Sequence, residues 1–514
     1  MFRKRLILKD LKQRSFKFIS KLHQEFPVAE IYLVGGAVRD LLLGRLSKDI
    51  DFVVRGVSAQ KLEIFLAKYG SVNLVGKNFG VFKFVPEGGD AHNPIDIALP
   101  RTEHSFGTGG YRDFDVQSDE KLSIEEDLSR RDFTINAMAL DITTPKKMKI
   151  IDPFFGLKDL KKKIIRAVGN PLDRFQEDYS RMLRAIRFSC QTGFSIEKST
   201  KQAIKESVAR LNDFNREVTL VNDGERVESE VSETRIMPYE VIAKEFLKAF
   251  VSNPVKAFDL FDELGVFKEL IPEMLAMKGC PQEPRFHSEG DVWQHTRLTL
   301  EKLASKKFKT KFHQKKLEVQ LVVAALLHDL GKPLTTKTPQ EHGVDRIRSN
   351  EHDIVGAKIA RVICERLKLS SPEGIGVDPQ KISWLIQHHM ILVHGNVNEM
   401  RENTIEKYFF NSEIPGDDLL KLSWADIAAT IGANGKSDFS TFKQMLGRTN
   451  KLKKIARKKK ILPPALLSGE EIMEILSIGP GKKIGDLKDL LREEQLTGRI
   501  KTKAQAIEFL KKFE

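Results

Sequence analysis

The sequence predicts a multidomain protein: a unit of mixed strands and helices, α/β or α+β, followed by units that are helical. Three observations predict it. The chain has 514 residues, more than one hydrophobic core accommodates, and ordinary domain sizes divide it into about three to four units. From residue 31 to about 170, apolar runs of strand length ("IYLVGG", "IDFVV", "VNLVG", "GVFKFV", "PIDIAL", "MKIIDPF") are separated by helical stretches such as "AQKLEIFLAKYG". From about residue 171 strand signals fade, and helical periodicity takes over in "DRFQEDYSRMLRAIRFSCQTGF" and "YEVIAKEFLKAF".

These signals give four segments: a mixed unit at 25–170, a helical neck and body at 171–280, an all-α unit at 281–440 and a helical tail at 441–514. A polar stretch at 212–234 reads as a loop or a small hairpin. The 281–440 segment holds nine of the twelve histidines. In "KLKKIARKKK" (451–460) seven of ten residues are basic and none is acidic, and three short helices joined by Gly-containing turns follow it.

Composition narrows the function classes. A net charge of +14 with 85 Lys and Arg attracts polyanions, nucleic acid first. The three cysteines lack CxxC spacing, which argues against a disulfide framework and a cysteine zinc site and fits a reducing cytoplasm. No stretch reaches the roughly 20 apolar residues that span a bilayer, so no membrane partner is expected. No long apolar region follows the basic N-terminus, and no signal peptide is expected.

The first candidate site is "GGAVRDLLLGRLSKDIDFVV". Side chains alternate along a strand, so Asp49 and Asp51 are expected on one face. Two close carboxylates repel unless a cation lies between them, and oxygen-only ligands suit Mg²⁺ held together with substrate phosphates. Asp96 in "PIDIALPR" offers a third carboxylate on another strand. Gly35 and Gly36 let backbone N–H groups approach a phosphate, and Arg39 adds a charged donor for a triphosphate. The second is "EDYSRMLRAIRF", in which Asp178, Arg181, Arg184 and Arg187 recur every third residue and are expected to form one polar helical stripe. Aspartate only accepts hydrogen bonds and arginine only donates them. One fixed Asp–Arg pair therefore matches the donor beside acceptor order of cytosine and adenine and mismatches uracil and guanine.

Together these motifs resemble the class II nucleotidyltransferases of the DNA polymerase β superfamily, the family of tRNA nucleotidyltransferase (the CCA-adding enzyme) and bacterial poly(A) polymerase. The resemblance implies an α+β polymerase-β-like head with a mixed sheet. It points to Asp49, Asp51 and Asp96 as catalytic metal carboxylates. In "SIEEDLSRRDFTINAMALDI" it assigns Arg130, Arg131 and Asp132 to nucleotide binding alongside Gly36 and Arg39. "IIDPFFGLKDLKKKIIRAV" resembles the segment that joins head to neck. The family's "EDxxR" motif, here Asp178 and Arg181 with Arg184 and Arg187 beyond, is its protein template for CTP and ATP. A Gly-rich stretch at 102–123 corresponds to a flexible loop associated with adding the final A. The family's "ERxxxE" has its positional match in "YEVIAKEFLKAF", with Glu240 and Glu245 present and Val241 in place of the arginine; the literal "ERVESE" at 225–230 lacks helical spacing and reads as a decoy.

A third constellation carries histidines and aspartates. His295, His328, Asp329 and Asp426 follow the order H…HD…D, which resembles the HD phosphohydrolase superfamily and implies one divalent metal (Mg, Mn, Ni or Co). His352 and His388 are candidates for a second metal, whereas His287, His389 and His394 read as ordinary core or surface residues. The expected reaction is Mg²⁺-dependent addition of CCA to tRNA from CTP and ATP. The alternatives are A addition alone, poly(A) synthesis, or a metal-dependent phosphohydrolase whose head binds RNA. A non-catalytic RNA-binding protein is a further rival, opposed by the acidic metal sets in both regions. The basic tail is expected to bind tRNA phosphates without base specificity. The sequence leaves the oligomeric state open.

Overall fold

A computed structural model describes residues 17–45, 50–75, 80–91, 94–111, 113–144, 148–222, 227–394, 397–410, 413–455 and 462–513. The chain divides into two compact units, residues 1–249 with 259–269, and residues 250–258 with 270–514.

The first unit opens with α1 (Lys17–Glu25), β1 (Glu30–Val34), α2 (Gly36–Leu42), β2 (Asp51–Arg55) and α3 (Ala59–Ala67). The strands β3 (Gly70–Val75), β4 (Val81–Pro86) and β5 (Ile95–Ala98) follow, and β8 (Ala139–Asp141) and β9 (Lys149–Ile151) complete a seven-stranded sheet in the order β3-β4-β5-β2-β1-β8-β9. Only β2 and β5 pair in parallel; the other neighbours are antiparallel, so the sheet is mixed, as the sequence predicts. One face packs Phe52, Val54, Phe82, Phe84, Ile95 and Ile97 against Phe18 and Leu22 of α1 and Leu62, Phe65 and Leu66 of α3. This is the apolar half of the strand alternation, and its burial drives closure of the unit. The opposite face holds Tyr32, Val34 and Val53 against Ile124 and Leu128 of α4 (Ile124–Ser129). A Ser123/Glu126 capping box fixes the start of α4.

Between β5 and α4, β6 (Arg101–Ser105) and β7 (Phe114–Ser118) form a separate two-stranded hairpin. Nine of the 22 residues of the Gly-rich stretch 102–123 lie in these two strands. The amide of Tyr179 donates to the carbonyl of Gly109 at 3.0 Å, and a Cβ on Gly109 would lie 2.1 Å from the Tyr179 ring. Only glycine tolerates that approach together with its φ of +82°.

Next come α5 (Gly156–Lys162), α6 (Pro171–Glu177), α7 (Ser180–Thr192), α8 (Lys198–Ser207) and, after an interruption, α9 (Tyr239–Ser252). The interruption, left between loop and hairpin by the sequence, is a nine-residue-per-strand hairpin of β10 (Phe214–Asn222) and β11 (Val227–Arg235). The described part of "ERVESE" is extended, as the missing helical spacing implies.

Among the described residues the second unit is helical apart from a two-residue strand pair at 336–337 and 348–349. Its central helices are α10 (Val292–Ala304), α11 (Val319–Leu327), α12 (His352–Arg366), α13 (Pro379–His388) and α14 (Gly416–Ala429). α11, "VQLVVAALL", is apolar all round and buried from Leu321 to Leu327, which marks a central helix. The chain closes with Ser440–Ile455 and three short helices, Gly469–Leu476, Lys482–Leu496 and Lys503–Leu510. Residues 456–460 of the basic run lie outside the described residues. Among the described residues no helix is long and apolar enough to cross a membrane.

Candidate active sites

In the first unit, the parallel pairing of β2 with β5 sets Asp51 directly across from Asp96. Both neighbours of Asp96, Ile95 and Ile97, point into the core, so its carboxylate faces the other side of the sheet. Lys83 is the register partner of Asp96 on β4, and its Nζ lies 2.7 Å from Asp96 Oδ1. A row of Lys83, Asp96 and Asp51 therefore crosses three strands. The oxygen donors fit a hard cation such as Mg²⁺. Asp49 lies outside the described residues.

Gly35 adopts φ +69°, and a Cβ there would come 2.8 Å from Arg131 Nη1, so the turn needs glycine. Gly36 opens α2, which carries Arg39. Arg39 donates to the Asp40 carboxylate through Nε and Nη2 and to Asn136 Oδ1 through Nη1 at 2.8 Å. The Asn136 amide in turn donates to Asp132 Oδ1 at 3.3 Å. Arg130 donates to Asp127 and Glu103, and Arg131 donates to Asp127 Oδ2 at 3.1 Å. Burial alone would raise the Asp127 carboxyl, yet the two guanidinium groups hold it below its ordinary value.

The expected helical stripe is corrected in one respect. Asp178 lies between α6 and α7 with extended backbone, φ −156°, and its carboxylate accepts the Ser180 amide at 2.8 Å. A side chain that caps the start of α7 cannot also be part of its regular face. Arg181 Nε is 3.8 Å from Asp178, beyond hydrogen-bond reach, and its guanidinium instead donates to Glu177 and to the carbonyls of Arg174 and Arg130. Burial raises the Asp178 carboxyl. Arg184 donates to Asp132 through Nε at 3.0 Å and through Nη2. Burial opposes ionisation of Asp132, but Arg184 and Asn136 hold it at about 2. Arg187 pairs with the buried Glu245 of α9. The glutamate of the altered neck motif thus has a buried arginine partner supplied by α7, although residue 241 is valine.

All the predicted head residues among those described, Asp96 apart, line one cavity of about 900 Å³. Nine cationic side chains and five carboxylates border it. Residues the motifs did not single out also contribute, including Asn136, Glu103, Arg101, Gln191, Lys248 and Phe188. The guanidinium groups of Arg39, Arg184 and Arg187 lie 5.4, 5.6 and 4.0 Å from the Phe188 ring centre, so one aromatic ring helps hold three cations. Asn136 was readable as the fourth residue after Asp132 inside "RRDFTIN"; Glu103 left no sequence signal.

In the second unit, α10 supplies His295, the end of α11 supplies His328 and Asp329, and α14 supplies Asp426; all are buried or nearly so. His295 Nε2 is 2.9 Å from Asp426 Oδ1, and His328 Nε2 is 3.3 Å from Asp329 Oδ2. Asp329 Oδ1 also faces the Nε2 atoms of His352 (3.6 Å) and His389 (3.8 Å). This corrects the sequence expectation. His389, not His388, enters the cluster: His388 stacks on Trp384 with ring centres 4.5 Å apart. His287, expected to be an ordinary residue, places Nδ1 2.7 Å from buried Glu289. The side chain of His394 lies outside the described residues.

The Nδ1 atoms of His328, His352 and His389 meet the backbone carbonyls of Ala325, Ser349 and Ile386 at 2.9, 2.6 and 2.6 Å. That contact requires Nδ1–H and leaves each Nε2 as the free electron pair, the tautomer a metal ligand needs. Burial and neighbouring histidines push His389 down to about 4, so it is neutral at pH 7. Both Asp329 carboxylate oxygens and His328 Nε2 are buried without a hydrogen-bond partner, although Lys332 Nζ lies 2.8 Å from Asp329 Oδ2. Orphaned acceptors that converge in this way fit a divalent cation. A cavity of about 310 Å³ borders the cluster and includes Lys332, Arg346 and Arg348 in its wall.

Comparison with known proteins finds a matching family in each unit. The family "Poly A polymerase head domain" matches residues 31–166, and "HD domain" matches 292–415. Multifunctional CCA protein of Neisseria meningitidis serogroup A is 36% identical over 342 residues, 66% of this chain and 68% of that protein. The protein of that name from Herminiimonas arsenicoxydans is 32% identical over 389 residues, 74% of this chain and 77% of its own. The Bacillus stearothermophilus CCA-adding enzyme, solved in complex with CTP, superposes with a TM-score of 0.59 at 20% identity, covering 96% of this chain and 95% of that one. The Thermotoga maritima CCA-adding enzyme, solved with tRNA, gives 0.58 at 21% identity, covering 99% and 98%. At such identity the two structures establish a shared fold, and the sequence relatives establish the kinship: this chain belongs to the family of multifunctional CCA proteins.

Proposed function

We propose that this protein adds C, C and A to the 3′ end of tRNA, using CTP and ATP and releasing pyrophosphate. The observation that carries this reading is the Asp51–Asp96 register pair, whose Asp51 lines a cavity with a cationic excess, in a chain related to the multifunctional CCA proteins. The tRNA 3′ oxygen bonds to the α-phosphorus, the bond to the β-phosphate oxygen breaks, and the hydroxyl proton is released. Asp51 and Asp96, with Asp49, would hold Mg²⁺, which lowers the pKa of the attacking hydroxyl and stabilises the developing charge. The Gly35–Gly36 turn and Arg39 hold the phosphates. Asp178 and Arg181 offer the acceptor and donor edge for C and A; Arg181 would have to turn from Glu177 to do so. Asp132 and Arg184 fix α7 behind them. Held substrates also gain from proximity and orientation.

The test is extension of a tRNA lacking CCA, with each NTP singly and in pairs. CCA addition requires C incorporation from CTP alone and completion only with CTP and ATP together. Growth with ATP alone, or an unlimited A tail, refutes it in favour of A addition or poly(A) synthesis.

The second unit supports a further activity, metal-dependent phosphoester hydrolysis, through the buried Asp329 carboxylate facing four histidines and the adjoining His295–His328–Asp426 group. His295, His328, Asp329 and Asp426 would hold one Mg²⁺, Mn²⁺, Ni²⁺ or Co²⁺, and His352 and His389 a second beside Asp329. A metal in such a site activates water. Hydrolysis of bis-p-nitrophenyl phosphate or p-nitrophenyl phosphate, dependent on one of these ions and lost in Asp329→Ala, is the expected result; no turnover with any of the four refutes it.

A further inference from the structure

Glu289 is nearly inaccessible, with 3% of its side chain exposed, and no motif includes it. Its Oε1 lies 2.8 Å from His295 Nδ1 and 2.7 Å from His287 Nδ1, and its Oε2 accepts the Ile431 amide at 2.9 Å. Ile431 stands two residues beyond α14, the helix that carries Asp426. The adjacent Ser288 reinforces the link: its amide donates to the Ile431 carbonyl at 2.7 Å and its hydroxyl at 2.9 Å. The other three histidines of the centre are oriented by backbone carbonyls, and His295 alone among them by a carboxylate.

We propose that Glu289 is a positioning residue of the second-unit metal centre: it fixes His295 in the tautomer that presents Nε2 to the ion and ties the α10 ligand to the α14 ligand. The proposal rests on the metal-binding reading of this unit. A carboxylate on Nδ1 fixes the ring's orientation and increases the donor strength of Nε2, which a carbonyl does less. Because Oε2 is committed to the Ile431 amide, the carboxylate cannot rotate away from the ring without breaking that bond. Gln cannot substitute: its amide would aim a donor either at the two imidazole N–H groups or at the Ile431 N–H.

The test is titration of the full chain with Co²⁺ alone, read through the visible d–d absorption of a histidine-bound ion and by calorimetry. The variants are Glu289→Gln, Glu289→Asp and His287→Ala, each checked for folding of the metal-free second unit by tryptophan fluorescence. Glu289→Gln is expected to weaken Co²⁺ binding by about 10- to 100-fold and to alter the d–d band. Glu289→Asp, which keeps the charge at a shorter reach, falls between, and it decides the matter if the Gln variant does not fold. His287→Ala removes the other partner of Glu289 but leaves His295 pinned, so it shifts affinity far less. Equal weakening by Glu289→Gln and His287→Ala would mean a loop tether only and overturns the proposal. So does an unchanged affinity and band in the Gln variant. A native chain that shows no histidine-bound Co²⁺ band overturns the metal reading itself, and this inference with it.

Discussion

Replacing Arg184 by Ala should destabilise the first unit, and the deficit should shrink in acid. Asp132 is 7% exposed and receives two hydrogen bonds from Arg184. Its carboxyl is held at about 2 against an ordinary 3.8, a depression worth on the order of 2 kcal/mol of folding free energy. Since the folded value is the lower one, this contribution is complete above about pH 4 and disappears as pH falls through about 2. In Arg184→Ala the carboxylate keeps Phe133 N and the Asn136 amide as hydrogen-bond donors but loses its guanidinium partner. Breaking a buried pair from one side costs about 3–5 kcal/mol. Burial then raises the Asp132 carboxyl in the variant, so the folded variant takes up a proton on acidification and regains stability that the native protein does not gain. The assay is denaturant unfolding at pH 7.5 and pH 4.5. All three tryptophans, Trp293, Trp384 and Trp424, lie in the second unit, so their fluorescence reports that unit while far-UV circular dichroism reports both. The expected result is a first-unit transition weakened at pH 7.5, less so at pH 4.5, with the tryptophan transition unmoved. A loss below about 1 kcal/mol at pH 7.5, or one equal at both pH values, refutes the reasoning.

Asp51→Ala should lower nucleotide transfer by about 10³-fold, since a bound metal contributes several kcal/mol to the transition state; the thermal unfolding profile should stay unchanged, and single-turnover extension measures the rate. Glu245→Ala strands Arg187 in a buried setting and should destabilise the first unit by about 3–5 kcal/mol; unfolding by circular dichroism measures it, and a change near zero would mean that Arg187 finds another partner. Gly109→Ala should release the β6–β7 hairpin from Tyr179 at a cost of about 1–3 kcal/mol, seen as faster amide hydrogen exchange over residues 101–118.

Much of the head was legible because its chemistry follows the shortest period a chain has. Asp51 and Asp96 alternate with Phe52 and with Ile95 and Ile97, so a face for carboxylates and a face for the core can both be read directly. Asp178 was misplaced because i, i+3 spacing has meaning only within one helix, and an aspartate that caps the next helix starts a new one. The exchange of His388 for His389 was decidable: His389 follows buried Leu385 and Ile386 at i+4 and i+3, while His388 follows the half-buried Trp384 at i+4. Glu289 and Glu103 could not be found. Glu103 meets Arg130 27 residues away, and Glu289 reaches His295 across a six-residue spacing that no single helix or strand repeats and Ile431 across 142 residues.

The pairing of β2 with β5 has a consequence for how this protein can fail. A slip of β5 by one residue would carry Asp96 into the apolar layer and bring an isoleucine opposite Asp51. Any misregistered chain would therefore be both inactive and poorly packed, a target for proteolysis rather than a stable source of mis-tailed RNA. Selection on activity and selection on folding act here on one variable. Length changes in the connection between β4 and β5 should be tolerated as long as they spare that register, whereas an insertion inside β5 should eliminate protein and activity together.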